Sequence, residues 1–172
     1  MTILQTPHLI LRPLTPADLA AVITYRNDPD VARYQAWPLP ATQANAAGLV
    51  TDAPLGAPGW VQRAVTLHDG TLLGDVALNT RGPQGELGVT LARHAQGRGY
   101  AQEALRAVIS YAVHRLGLHR LHASIDPRNT PVTALLTRLG FRHEGTFLQS
   151  CWHRGQWTDD AVYAVLAAEW RA

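Results

Sequence analysis

Hydrophobic positions along the chain change period several times, and each change marks an element. From His8 to Pro13, "HLILRP", Leu9 and Leu11 alternate with His8, Ile10 and Arg12. That two-residue period predicts a half-buried strand, stopped at Pro13. Thr15 then offers an N-cap, Pro16 a first helical residue and Asp18 a first-turn charge, for a helix through "ADLAAVITYR". Asp28 and Pro29 repeat that signal, "WPLP" breaks it, and Thr42 opens a short alanine-rich helix ending near Gly48. "WVQRAVTLHDGTLLGDVALN" reads as a hairpin, with Asp69-Gly70 expected to supply the positive φ angles of its turn. "RGPQG" is a further turn, and Glu86–Leu91, "ELGVTL", a third strand in series.

The strongest periodic signal follows. Ala101, Ala104, Leu105, Val108, Ile109, Ala112, Val113 and Leu116 form one continuous helical stripe, ended by Gly117. "RLHASID" alternates Leu121, Ala123 and Ile125 against Arg120, His122 and Ser124, so it is a strand. Strand, tight loop, helix and strand make a βαβ unit, with Glu86–Leu91 and Arg120–Asp126 parallel. A short helix over "NTPVTALLTRLG" starts at Asn129 or Thr130 and closes at Gly140; the rest is a long hairpin turning near Gly155. The expected class is α/β, with a mixed sheet and an antiparallel front end.

Composition adds bounds. With 172 residues, 47% hydrophobic and 16% charged, the chain suits one globular domain, 1–172, because "DAPLGAPG" is too short to separate two units. All 15 basic residues are arginine, the formal net charge is +2, and no dense basic cluster points to nucleic acid. The single cysteine, Cys151, has no internal disulfide partner, and no window resembles a signal peptide or a membrane span, so a cytoplasmic protein is expected. Cys151 itself is read as a small packed residue. No metal site is expected: the eight histidines contain no HExxH, and His119 and His122 fall on opposite strand faces.

The loop "ARHAQGRGYAQ" between the parallel strand and the long helix carries the chemistry. A ligand of a βαβ unit lies beyond the first strand, where the free N–H groups of the helix N-terminus favour an anion. Gly97 and Gly99 let a phosphate approach the backbone, and Arg93 and Arg98 offer charged donors. A Walker A loop needs a lysine, which this chain lacks, and the dinucleotide fingerprint fails because Gln102 stands at its third glycine position.

Gln96-Gly97-Arg98-Gly99-Tyr100-Ala101 resembles the Q/R-x-x-G-x-G/A acetyl-CoA signature of the GNAT superfamily of N-acetyltransferases. The similarity extends through "LILRPLTPAD", "NDPDVARYQAWP", "NTPVTALLTRLGFRHEG" and "GQWTDDAVYAVLAAEW" to the RimJ/RimL type, the ribosomal-protein N-acetyltransferase branch. That resemblance implies the GNAT fold, acetyl-CoA as cosubstrate and an amine as acceptor, either a protein N-terminus or a small molecule. It further implies pantetheine bound by Val89 and Leu91, with Gly88 at a bulge, pyrophosphate bound by the loop amides from Gly97 to Ala101, and Gln96 among the cofactor-binding residues. Asn129 matches the family asparagine that contacts the cofactor, although a plain N-cap is an equal reading. Glu86 aligns with the acidic residue that takes the amine proton, and surface exposure is its alternative. Tyr34 and Trp37 fall in the acceptor loop, or else in packing. Asp159 and Asp160 could attract a cationic amine or simply be solvated.

The positions where many relatives carry a Ser or Tyr proton donor for the leaving thiolate are Val132 and Leu136, which cannot donate. These two residues leave a non-catalytic acyl-CoA-binding module as the alternative to an enzyme. The expected partner is an amine acceptor, without nucleic acid or membrane, and the protein is taken as a monomer or homodimer.

Overall fold

A computed structural model describes residues 2–171. Its strands are β1 (Leu4–Gln5), β2 (Leu9–Arg12), β3 (Gly59–Leu67), β4 (Leu72–Arg81), β5 (Gln84–Leu91), β6 (Arg120–Ile125), β7 (Arg142–His153) and β8 (Gln156–Leu166). The helices are α1 (Leu19–Arg26), α2 (Pro29–Ala32), α3 (Gln43–Ala46), α4 (Tyr100–His114) and α5 (Thr130–Arg138). The strands form one sheet in the order β1-β2-β3-β4-β5-β6-β8-β7. Among these strands only β5 and β6 pair in parallel, the rest being antiparallel, so the mixed sheet and the βαβ unit are as expected.

The α4 stripe explains the larger core. Ala104, Leu105, Val108, Ile109 and Ala112 are buried and pack with Leu9, Leu11, Val65, Val76, Leu78 and Leu121 from the sheet. A smaller core on the other face joins Leu19, Val22 and Tyr25 of α1 to Val31, Ala46, Ala64 and Ala92. Covered on both sides, β4 is buried continuously from Leu73 to Asn79.

Several boundaries differ from expectation for local reasons. A 3-10 turn over Pro16–Asp18 precedes α1, and the Asp18 carboxylate accepts from Thr15 N and both Arg12 Nη atoms at 2.7, 2.7 and 2.8 Å. In the β3–β4 turn only Gly70 takes positive φ; Asp69 instead accepts the Thr71 N–H at 2.9 Å. The long hairpin turns on Arg154 and Gly155, with φ of 46° and 85°. Cys151 is exposed rather than packed, because β7 is the edge strand and no described strand covers its outer side. Gly88 is no bulge against β4, where the register runs unbroken from Gly74↔Leu91 to Arg81↔Gln84. No described helix is long and apolar enough to cross a membrane.

Packing and charge each generate a test. A Cβ at Gly74 would lie 2.0 Å from Thr90 O and 2.8 Å from Leu91 Cα, whereas one at Gly88 would meet Trp60 at 3.5 Å. Gly74→Ala should therefore lower urea-unfolding stability by about 1–3 kcal/mol or more, and Gly88→Ala should change it little. The hydrogen bonds from Arg12, then those from Thr15, hold the Asp18 carboxyl down at about 2. Its stabilising effect is complete above the unfolded-state value and is lost as pH falls towards 2. Asp18→Asn should cost about 1–2 kcal/mol at pH 7, solvent screening taking part of the full effect. That difference shrinks as the unfolding series is repeated from pH 4 down to 2.

Candidate active site

The parallel pairing of β5 with β6 is short. It joins Gln84 to Arg120, Gly85 to Leu121 and Glu86 to His122, and then the strands separate, while β5 stays paired to β4 up to Leu91. Beyond Glu86 the β6-facing edge of β5 thus lacks a strand partner and, apart from Leu91 O, which accepts from Gln96, its backbone groups remain open to a ligand. Two cavities flank this opening, of about 360 and 610 Å3. Tyr34, Gln35, Val89, Asn129 and Val132 line both, so the cavities meet there.

The larger cavity leads to the start of α4. Gly97 and Gly99 have φ of 72° and 83°, and a Cβ added to either would meet nothing within 4 Å, so backbone conformation, not crowding, requires glycine. Gly99 is the N-cap residue and brings no capping side chain, leaving the first helical N–H groups facing the cavity at Tyr100, Ala101 and Gln102. Gln96 lines the wall while its Nε2 donates to Leu91 O at 3.0 Å, bracing the loop against the end of β5. Arg33, Arg128 and Arg138 line the cavity against one carboxylate, Asp30, which pairs with Arg33 at 2.9 Å, so positive charge is in excess. Leu91 and Val89 border the same space. These features fit a phosphate-bearing cofactor with an extended, amide-containing arm.

Of the expected phosphate donors, Arg98 is exposed and lines neither cavity, and Arg93 pairs with Asp30 at 2.8 Å. Asn129 precedes α5 but makes no cap hydrogen bond; its side chain is left for the cleft. The capping alternative is not what the fold uses.

The smaller cavity has the opposite charge. Glu86, Asp126, Asp159 and Asp160 line it, with Trp60, Ser124, Cys151 and His153, and no arginine is among its described lining residues. Strand register explains the placement of Glu86. Trp60 pairs with Asn79, Asn79 with Glu86 and Glu86 with His122, putting four side chains in a row on one face. Asn79 Nδ2 lies 3.4 Å from Glu86 Oε2. Asn79 Oδ1 and His122 Nδ1 are buried without a partner among the described residues. Desolvation lowers the His122 pKa, against the opposing pull of Glu86. Asp160 accepts from Ser124 Oγ at 2.5 Å, and Asp126 is bound by Arg128 at 2.6 Å.

Tyr34 lies where the cavities join, with the Arg128 guanidinium 5.9 Å from its ring centroid. Trp37 does not reach the cleft. Arg26 sits 4.5 Å over its ring and its Nε1 donates to Arg26 O at 3.2 Å, which fixes it behind the loop. Trp60, Ser124, Arg128 and Arg138 were not expected from sequence. Their common signal is strand register or distance across the fold, which no local pattern carries. Among the described residues no group of three or more His, Cys, Asp or Glu side chains could hold a metal ion.

A sheet with one parallel pair that separates above a glycine loop and a helix N-terminus defines an acetyltransferase architecture. The model of the acetyltransferase (GNAT) domain matches residues 8–142, and the chain belongs to that family. It is similar to the uncharacterized N-acetyltransferase p20 of Bacillus licheniformis, 27% identical over 177 residues and 99% of each chain. It is also similar to the uncharacterized N-acetyltransferase YnaD of Bacillus subtilis, 36% identical over 86 residues, spanning 49% of this chain and 50% of that relative. Among solved structures, RimJ of Mycobacterium smegmatis in complex with CoA-disulfide superposes with a TM-score of 0.83 at 26% identity, covering 98% of this chain and 87% of that one. Within that family the chain is similar to the RimJ type.

Because Asn129 makes no cap bond, Asn129→Ala should leave stability in urea within about 0.5 kcal/mol of the parent. A capping asparagine would instead lose about 1 kcal/mol.

Proposed function

We propose that the chain transfers acetyl from acetyl-CoA to a primary amine by direct attack in a ternary complex. The observation that carries this reading is the meeting of a basic and an acidic cavity where β5 and β6 separate. On the basic side, the backbone of Val89 and Leu91 binds the pantetheine arm as an added strand. The loop from Gln96 through Gly97, Gly99 and Tyr100 to Ala101 takes the pyrophosphate on its amides. Arg98, exposed outside the cavity lining, contributes its backbone and local charge. Asn129 bonds the cofactor with the side chain that α5 does not use. Similarity to RimJ of Mycobacterium smegmatis, a structure in complex with CoA-disulfide, supports this assignment.

On the acidic side, four carboxylates favour an acceptor that arrives as an ammonium ion. The acceptor is an amine in this reading, with a protein N-terminus and a small amine as its two classes. Glu86 accepts the ammonium proton, so that a neutral nitrogen attacks the thioester carbon. Tyr34 belongs to the wall that the acceptor passes, and Trp37 supports that wall from behind.

A non-catalytic acyl-CoA-binding module is the second reading, favoured by Val132 and Leu136, which line the cleft with apolar side chains. Thiol release from acetyl-CoA, measured against N-terminal peptides and against small amines with product masses checked, separates the two. Acetylated product supports the enzyme; acetyl-CoA binding with no product in either pool supports the module. Glu86→Gln should lower kcat about a hundredfold. An unchanged kcat would exclude Glu86 as the base. Asn129→Ala should weaken acetyl-CoA binding about three- to tenfold by calorimetry, the loss of one hydrogen bond.

A further inference from the structure

Amine acetylation leaves a thiolate that must gain a proton, and this cleft has no hydroxyl at Val132 or Leu136. The sulfur of a thioester spanning the two cavities would lie at their junction. Of the described residues lining both cavities, Tyr34, Gln35, Val89, Asn129 and Val132, only Tyr34 has an O–H.

The segment carrying Tyr34 is tied on both sides of it. His153 Nε2 lies 3.1 Å from Arg33 O, and Arg154 Nη2 donates to Gln35 O at 3.1 Å. Both bonds come from the tip of the β7–β8 hairpin, 120 and 119 residues away in sequence. Arg154 holds a left-handed φ of 46°, a conformation that costs energy for a residue with a Cβ. Arg128, 5.9 Å from the Tyr34 ring centroid, supplies a positive charge beside the phenol. Trp37, three residues on, is pinned by Arg26. Every one of these contacts fixes where Tyr34 stands.

We propose that Tyr34 is the catalytic proton donor to the leaving thiolate, and that His153 and Arg154 are positioning residues that hold it at the junction. This rests on the acetyl-transfer reading above. The ammonium first loses one proton to Glu86, and the neutral nitrogen forms the C–N bond. The C–S bond then breaks with its electron pair on sulfur, and the Tyr34 O–H gives its proton to that sulfur, producing the free thiol. The nitrogen sheds its second proton as the amide forms, and that proton restores the phenol. One proton leaves through Glu86 and the tyrosine ends unchanged.

Steady-state kinetics with acetyl-CoA and an amine that the parent protein acetylates provide the test. Tyr34→Phe keeps the ring and the packing but should lower kcat about a hundredfold, with KM for acetyl-CoA within about twofold and an unchanged melting temperature. With the selenium analogue of acetyl-CoA, whose selenolate needs no proton to leave, the same variant should lose less than about threefold. Arg154→Gly accepts the positive φ and so preserves the turn; it should lower kcat about three- to tenfold without raising KM for acetyl-CoA. A Tyr34→Phe protein that turns over as fast as the parent overturns the donor while leaving the acetyl-transfer reading intact. An equal loss with sulfur and selenium thioesters overturns it as well, by making Tyr34 structural. A parent protein that binds acetyl-CoA yet acetylates no amine overturns the underlying reading and the donor with it.

Discussion

The parallel pairing of β5 with β6 runs for three residue pairs, and the rest of the site depends on its ending there. After Glu86↔His122, β5 and β6 part, and the backbone of β5 beyond that point has a strand neighbour on only one side. A sheet that stayed closed would bury those groups in a continuous ladder and leave no cleft. The separation is held by packing on both faces. The α4 side chains Leu105 and Ile109 and the α5 side chains Leu135 and Leu136 fill one side, and the smaller α1 core packs against the other. Since α4 must begin where β5 ends, its free N–H groups arrive at the mouth of the same opening.

Charge is partitioned across this opening. Arginines from the end of α2, the turn before α5 and the end of α5 surround the larger cavity. Carboxylates from β5 and β8, and from the residue after β6, line the smaller one. On the acidic side Glu86 stands between Asn79 and His122 in one cross-strand row.

Buried polar groups away from the cleft brace its walls. Asp75 is buried, which raises its pKa; Tyr25 Oη donates to it at 2.5 Å, and Arg26 Nη2 lies 3.6 Å away. Arg26 in turn stacks on Trp37 and so supports the loop that carries Tyr34. Arg63 is fully buried with no carboxylate partner among the described residues; burial lowers its pKa, and it donates to Ala53 O and Gln62 O at 2.8 Å. It ties the long connection before β3 to the sheet through backbone carbonyls, a role that needs a multi-donor side chain rather than an ion pair.

Elements and the glycine loop before α4 are written into short stretches of the chain, and so could be read there. The alternation of Leu9 and Leu11, the stripe from Ala104 to Ala112 and the glycines at 97 and 99 are short-range patterns, and each appears in the structure as expected. Glu86 was legible through its place on a recognisable strand. Which side chains share the cleft was not, and the packed fold alone settles it. Trp37 leaves the cleft because Arg26, on another element, offers it a partner, and Cys151 is exposed because its strand ends the sheet. Trp60 and His122 join Glu86 through strand register, and Tyr34 is fixed by a hairpin tip more than a hundred residues away. Local periodicity reports which face of an element is apolar. It carries no information about which distant element will lie against that face, and the chemistry of this site is assembled across such distances in sequence.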